Sequence, residues 1–191
     1  MQPEELKKLV KKNDDDSRRQ LFEAYYKKTY AVAYNILRNR ENAEDITQDA
    51  FIKAFQNISQ LHDETKFGAW LAVITSNLAR NYLKREKRID YTDREIIDDG
   101  ASEADYTEES ALRSLEVERI RKAIKKLPPD HYQVVVLQYY YDLRVEEIAK
   151  LLKLSPGTVK SRLYRARQRL AGELELNNDS ACLIDRGGER E

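Results

Sequence analysis

A single cysteine, Cys182, in 191 residues rules out an intramolecular disulfide, and the two histidines, His62 and His131, lie too far apart to give a zinc-ligand spacing. Disulfide scaffolds and structural metal centres drop out, and no cofactor is expected. Glycine and proline are scarce, six and four residues, while apolar residues recur every three or four positions, so the fold class expected is all-α. No apolar run approaches the roughly 20 residues that span a bilayer, and Met1-Gln2-Pro3-Glu4-Glu5 has no apolar signal core. A cytoplasmic protein without membrane insertion is expected. Missing too are a glycine-rich phosphate loop and a recognisable pairing of nucleophile and base, which argues against an enzyme.

What is abundant is charge. The 34 Lys+Arg balance the 34 Asp+Glu, and charged residues make up 36% of the chain beside 41% hydrophobic residues, enough for compact cores. The balance conceals segregation. Residues 119–171 carry 13 positive and 4 negative side chains, a net +9, whereas 89–118 carry 2 and 11, a net −9. Residues 21–88 lean basic, 11 against 8, and 172–191 are acidic, 2 against 6. From 89 to 111 the acidic stretch lacks a sustained apolar stripe and reads as a linker between two helical domains, 21–88 and 112–171. A lead-in of mixed charge, 1–20, precedes them, and a tail, 172–191, expected to be disordered, follows. A block of net +9 repels itself, and a polyanion such as nucleic acid is the commonest external reason for one. Solubility alone is the plainer reason.

The basic block has the pattern of a helix-turn-helix. Val145, Ile148, Ala149 and Leu152 fall at i, i+3, i+4 and i+7, one face of a helix, and Ala149 is small enough to let a second helix cross closely. Ser155 suits an N-cap and Pro156 the first helical position. Beyond them Val159, Leu163, Ala166 and Leu170 form the next buried stripe, which leaves Ser161 pointing away from the core with Tyr164 and Arg165 beside it. Lys160, Arg162, Arg167 and Arg169 rim the flanks. Two short helices with a capped, basic second one match the module that lays its second helix in a DNA major groove. Ser161, Arg165 and Lys160 are candidates for base edges, and Arg162, Arg167 and Arg169 for phosphates. A helical hairpin with a basic surface is the alternative. Upstream, Leu112, Leu115, Ile120, Ala123, Ile124 and Leu127 form another stripe ended by Pro128-Pro129, and a helix is expected from Asp130 to about Tyr141.

The first block carries two faces that its own packing does not require. Over Asn42 to Ser59, Ala43, Ile46, Ala50, Phe51, Ala54, Phe55 and Ile58 form the apolar side, while Asp45, Gln48, Asp49, Ile52 and Gln56 form the other. Asp45 and Asp49 are like charges at i, i+4, which disfavours the helix by a few tenths of a kcal/mol, about 0.2–0.5, and Ile52 is an apolar residue set among them. A partner surface explains both. Acids near a helix N-terminus, favoured by its dipole, are the plainer account. Over Phe67 to Arg88, Phe67, Trp70, Leu71, Ile74, Leu78 and Tyr82 face a core, and Asn77, Arg80, Asn81 and Lys84 run round the opposite flank, with Arg85, Lys87 and Arg88 at the end. Amides beside cations are what base-edge and phosphate contacts require.

In this order the features resemble the extracytoplasmic-function (ECF) sigma factors of bacterial RNA polymerase. The likeness covers roughly Leu21 to Leu170. It rests on Ala43-Glu44-Asp45-Ile46-Thr47-Gln48-Asp49-Ala50-Phe51, on Phe67 to Trp70 followed by Asn77 and Arg80-Asn81-Tyr82-Leu83, and on Val145-Glu146-Glu147-Ile148-Ala149 leading to Gly157-Thr158-Val159-Lys160-Ser161-Arg162. The resemblance implies a non-enzymatic specificity subunit. Its first domain, region two, docks through Asp45, Gln48, Asp49 and Ile52 on the clamp helices of the largest polymerase subunit. It opens the −10 element through the loop His62 to Gly68, which includes Lys66, and through Asn77, Arg80, Asn81, Lys84 and Arg85. Its second domain, region four, meets the flap of the second-largest subunit and reads duplex −35 DNA through Thr158, Lys160, Ser161, Arg162, Arg165 and Arg169. The resemblance also implies an anti-sigma factor and a linker that threads the polymerase cleft, so that neutralising Asp98, Asp99, Glu103 and Asp105 together would lower initiation in vitro.

Three rivals remain at this level. A two-domain helix-turn-helix regulator working without core polymerase shares the second domain and leaves the faces around Ile52 and Asn77 as coincidence; tight binding of the isolated chain to duplex promoter DNA marks that case. An enzyme lacks visible machinery, and an adaptor bundle has no use for a capped basic helix. The lead-in 1–20 and the tail with Cys182 have no assigned role.

Overall fold

The computed structural model describes residues 2–89 and 108–185, with side chains described over 2–86 and 117–174. Most of the acidic linker, including Asp98, Asp99, Glu103 and Asp105, lies outside the described residues. The chain divides into two compact units, Met1–Asp99 and Gly100–Glu191. Both are helical, and no strand occurs among the described residues.

In the first unit α1 spans Pro3–Lys12, α2 Asp15–Leu37, α3 Arg40–Gln56 and α4 Phe67–Ile89. Asp14 caps α2, its carboxylate accepting the Ser17 N–H at 2.9 Å, and Asn39 caps α3 by accepting from the Asn42 N–H at 2.9 Å. With so few glycines, α1 and α2 end on left-handed residues of other types, Asn13 (φ 46°) and Arg38 (φ 57°). Helices α2, α3 and α4 pack on one another pairwise, and α1 packs on α2 and on the 3-10 turn Glu64–Lys66. Leu21, Phe51, Phe67 and Leu71 form the buried centre, each such side chain worth about 1.5–3 kcal/mol of transfer energy. Phe22 against Phe51 (centroids 4.7 Å apart) and Tyr25 edge-on to Phe67 (5.3 Å) extend it.

Two findings go beyond the sequence reading. Leu6, Leu9 and Val10 of the unassigned lead-in are buried in this same cluster, so the first unit begins well before residue 21. The Phe67, Leu71, Ile74 stripe of α4 is only part of its buried surface, since Ala69, Ala72, Val73, Thr75, Ser76 and Ala79 are buried too. Small residues let α2 and α3 approach α4 from two sides. The Thr75 and Ser76 hydroxyls satisfy themselves by donating to the Leu71 and Ala72 carbonyls at 2.8 and 2.7 Å.

In the second unit α5 spans Glu108–Lys125, α6 Pro129–Val135 with a π-helical continuation Val136–Tyr140, α7 Val145–Leu152 and α8 Pro156–Asp185. Ala123, Leu127, Val134, Leu137, Ile148, Val159, Leu163 and Ala166 are buried. The expected stripe is buried at Ala123, in α5, and at Leu127, just past its end, but not at Ile120, which is 42% exposed beside Val117 at 46%. Helix α8 runs to Asp185, past the tail boundary expected at 171. Gly172 costs a helix interior only about 1 kcal/mol, and α8 runs through it.

Candidate docking and nucleic-acid interfaces

The turn between α7 and α8 forms as its residues predict. Lys153 takes the left-handed conformation (φ 54°), and the Leu154 N–H returns to the Ala149 carbonyl at 2.9 Å, closing α7 without a glycine. One residue later the Ser155 hydroxyl accepts the Thr158 N–H at 3.1 Å, and Pro156 occupies the first position of α8. Thr158 is half-buried and its hydroxyl lies 2.9 Å from Ser155 Oγ, so it serves the cap. With Val159, Leu163 and Ala166 buried, Lys160, Ser161, Arg165 and Arg169 are left exposed on one continuous side of α8.

Two cations that the wheel offered to phosphates have hydrogen-bond partners within their own unit. Arg162 is half-buried and its guanidinium donates to Asp130 at 3.1 Å. Arg167 donates to the Tyr139 hydroxyl at 3.0 Å and to Gln138 at 3.3 Å. Both therefore pin α8 to the α6 segment. The reason is tertiary: their partners stand about thirty residues upstream, beyond the reach of a helical wheel. His131 on α6 faces the same cationic surface. Burial, then the guanidiniums of Arg169, Arg165 and Arg162, push its imidazole below the usual histidine range, opposed by Asp130.

On α3, Ala43, Ile46, Thr47, Ala50, Phe51 and Ala54 are buried, and the opposite side presents Asp45, Gln48, Asp49 and Ile52, every one exposed. Ile52 is 55% exposed. The structure thus brings these four onto one face, two helical turns long.

The third group is spread out. Lys66 ends the Glu64–Lys66 turn, its ammonium 3.9 Å from Asp63. Asn77, Asn81, Lys84 and Arg85 are exposed along α4, and Arg80, half-buried, is hydrogen-bonded to Asn77. At 1.5 Å per residue, Asn77 stands about 16 Å and Lys84 about 27 Å along the axis from Lys66. This is a track along a helix, suited to an extended strand rather than to a compact ligand. Its far end is tied to α3 through the Tyr82 hydroxyl, 2.9 Å from Asn42 Oδ1.

The family model for Sigma-70 region 2 matches residues 21–89, and that for Sigma-70 region 4 matches 117–170. Over 180 residues the chain is 36% identical to the ECF RNA polymerase sigma factor SigW of Bacillus subtilis, covering 87% of this chain and 94% of SigW. The chain belongs to the ECF sigma factors. It is also 34% identical to the ECF sigma factor SigE of Mycolicibacterium smegmatis, over 81% of this chain and 60% of that one. Among solved structures it is similar to the sigma factor RpoE of Bartonella quintana, determined in complex with the anti-sigma factor NepR, with a TM-score of 0.65 and 25% identity over 82% of this chain and 96% of that one.

On this sigma factor's α8, two exposed residues share the strip of Ser161 and Arg165 and were not assigned from the sequence: Tyr164, 63% exposed, and Gln168. The wheel had already set Tyr164 beside Ser161 without a role, and Gln168, at i+3 from Arg165, would have been found by completing it. Among the described residues no helix is long and apolar enough to cross a membrane.

Proposed function

We propose that this chain acts as a non-enzymatic promoter-specificity subunit of RNA polymerase, with the division of labour that its two matched regions suggest. The first domain, 21–88, docks on the clamp helices of the largest polymerase subunit through Asp45, Gln48, Asp49 and Ile52. It holds the opened −10 strand along Lys66, Asn77, Arg80, Asn81, Lys84 and Arg85. The second domain, 112–171, reads duplex −35 DNA through Lys160, Ser161 and Arg165, with Arg169 on phosphate, Tyr164 and Gln168 completing the strip, and Thr158 and Arg162 setting the pose of α8; the flap of the second-largest subunit is its polymerase contact. The observation that carries this reading is the exposed Ile52 flanked by Asp45 and Asp49, a face that costs helix stability and buries nothing in its own unit.

RpoE of Bartonella quintana is held by an anti-sigma factor, and we extend such a partner to this chain. A soluble cytoplasmic location goes with the proposed role as a subunit of RNA polymerase, which transcribes bacterial DNA in the cytoplasm. Transcription in vitro with purified core polymerase on a pool of promoter fragments tests the reading. Promoter-selective RNA should appear only when both proteins are present. Tight, specific duplex binding by the chain alone would instead support a regulator that works without polymerase.

A further inference from the structure

We propose that α1 is a positioning element for the loop at 61–66 and thereby sets how well this sigma factor holds single-stranded −10 DNA. The proposal rests on assigning that loop to the −10 strand. Helix α1 precedes the residues matched by the region 2 family model, 21–89, so the match gives it no task.

Within the loop the contacts are short-range: the Thr65 N–H, the Thr65 hydroxyl and the Lys66 ammonium all meet Asp63. Leu61–Asp63 is irregular, followed by a single 3-10 turn in which Asp63 accepts the Thr65 N–H at 3.0 Å. His62 and Thr65 are exposed. What lies behind the loop is α1. Its apolar face, Leu6, Leu9 and Val10, is buried at 4–7% exposure in the cluster that includes Phe67, with Leu61 packed on it. Lys11 Nζ stands 3.8 Å from Glu64.

The joint between α1 and α2 is fixed in turn. Asn13 adopts φ 46°, Arg18 donates to its side chain at 3.0 Å, and the Lys12 ammonium lies 2.6 Å from Asp14, which caps α2. The Lys12 and Ser17 hydrogen bonds hold the Asp14 carboxyl well below the usual carboxylate range. A shift of α1 along α2 would therefore break the Lys12–Asp14 pair and the Arg18–Asn13 hydrogen bond. A loop braced this way is ordered before the strand arrives, so binding does not bear that ordering cost.

The test uses full-length chain in holoenzyme and, as probe, the strand that wild-type holoenzyme selects from single-stranded 12-mers of random sequence. Leu9→Ala should weaken strand binding by about fivefold, the scale of one or two side chains newly ordered on binding. The affinity for core polymerase, made by α3 of the same unit, should stay unchanged; a general loss of folding would lower both. If Leu9→Ala fails to fold, Lys11→Gln serves, compared with Lys8→Gln on the exposed side of α1 as a charge control. A loss for Lys11→Gln that exceeds the loss for Lys8→Gln supports the brace. Weakening by Lys66→Ala but not by the α1 variants overturns the brace and keeps the −10 assignment. No weakening by His62→Ala with Lys66→Ala overturns the −10 assignment and the brace together.

Discussion

Arg162 of α8 and Asp130 of α6 form an ion pair at 3.1 Å, with the guanidinium side chain 23% and the carboxylate 44% exposed. The pair neutralises a cation of α8 and ties that helix to α6. Asp130→Asn should cost at most about 1 kcal/mol of stability, as for partly exposed pairs generally. It should also release Arg162 towards phosphate and steepen the salt dependence of DNA binding by about one unit of slope. Arg162→Ala should leave that slope nearly unchanged, whereas Arg169→Ala should reduce it by about one. Binding of holoenzyme carrying each variant to duplex −35 DNA across a salt series measures all three.

The strip of α8 that remains exposed separates base reading from phosphate contact. Arg165→Ala should lower discrimination at one −35 base pair by roughly 1–3 kcal/mol, while Arg169→Ala weakens every sequence alike. Competition between promoter fragments that differ at single −35 positions, bound by holoenzyme, reads the difference. Equal losses on all fragments for both variants would remove the base-reading role of Arg165.

How much of this was legible depended on distance along the chain. The Ser155 cap, Pro156 and the Val159, Leu163, Ala166 stripe are local, and all appear where periodicity and capping chemistry put them. So does the exposed side of α3, because burial of Ala43, Ile46 and Ala50 dictates it. Helix α1 was illegible as core because three apolar residues among lysines and glutamates mean little until Phe67 and Leu21 are brought beside them. The partners of Arg162 and Arg167 were illegible for the same reason: a wheel reports direction, and only the tertiary fold supplies Asp130 and Tyr139. Ile120 erred the other way, with the right period and a side chain left 42% exposed.

The α3 face predicts two effects of opposite sign. Replacing both acids, Asp45→Asn with Asp49→Asn, removes an i, i+4 repulsion and should raise the unfolding free energy by a few tenths of a kcal/mol, about 0.2–0.5. The same double variant should weaken binding to core polymerase. Ile52→Ala should weaken it further, by about 1–2 kcal/mol as for a central apolar anchor, with stability within about 0.5 kcal/mol of wild type because the side chain is already exposed. Thermal unfolding and a polymerase-binding titration on the same preparations check both signs.

His131 gives the second unit a pH dependence whose sign is set. Its pKa is lowered by burial first and then by the guanidiniums of Arg169, Arg165 and Arg162, with Asp130 opposing, and its Nδ1 is buried without a hydrogen-bond partner among the described residues. The extra proton of the charged form is thus both poorly solvated and repelled. In the unfolded chain the imidazole titrates near the ordinary value of about 6.5. Between that value and the lower folded one, the unfolded state binds more protons, so stability is full above pH of about 6.5 and declines as pH falls through the folded pKa. Urea unfolding followed by circular dichroism at a series of pH values should show that decline, and His131→Gln should flatten it. Titration of the His131 ring protons by NMR gives the direct check, since a midpoint at or above the unfolded value would contradict the cationic surroundings that α8 places around this side chain.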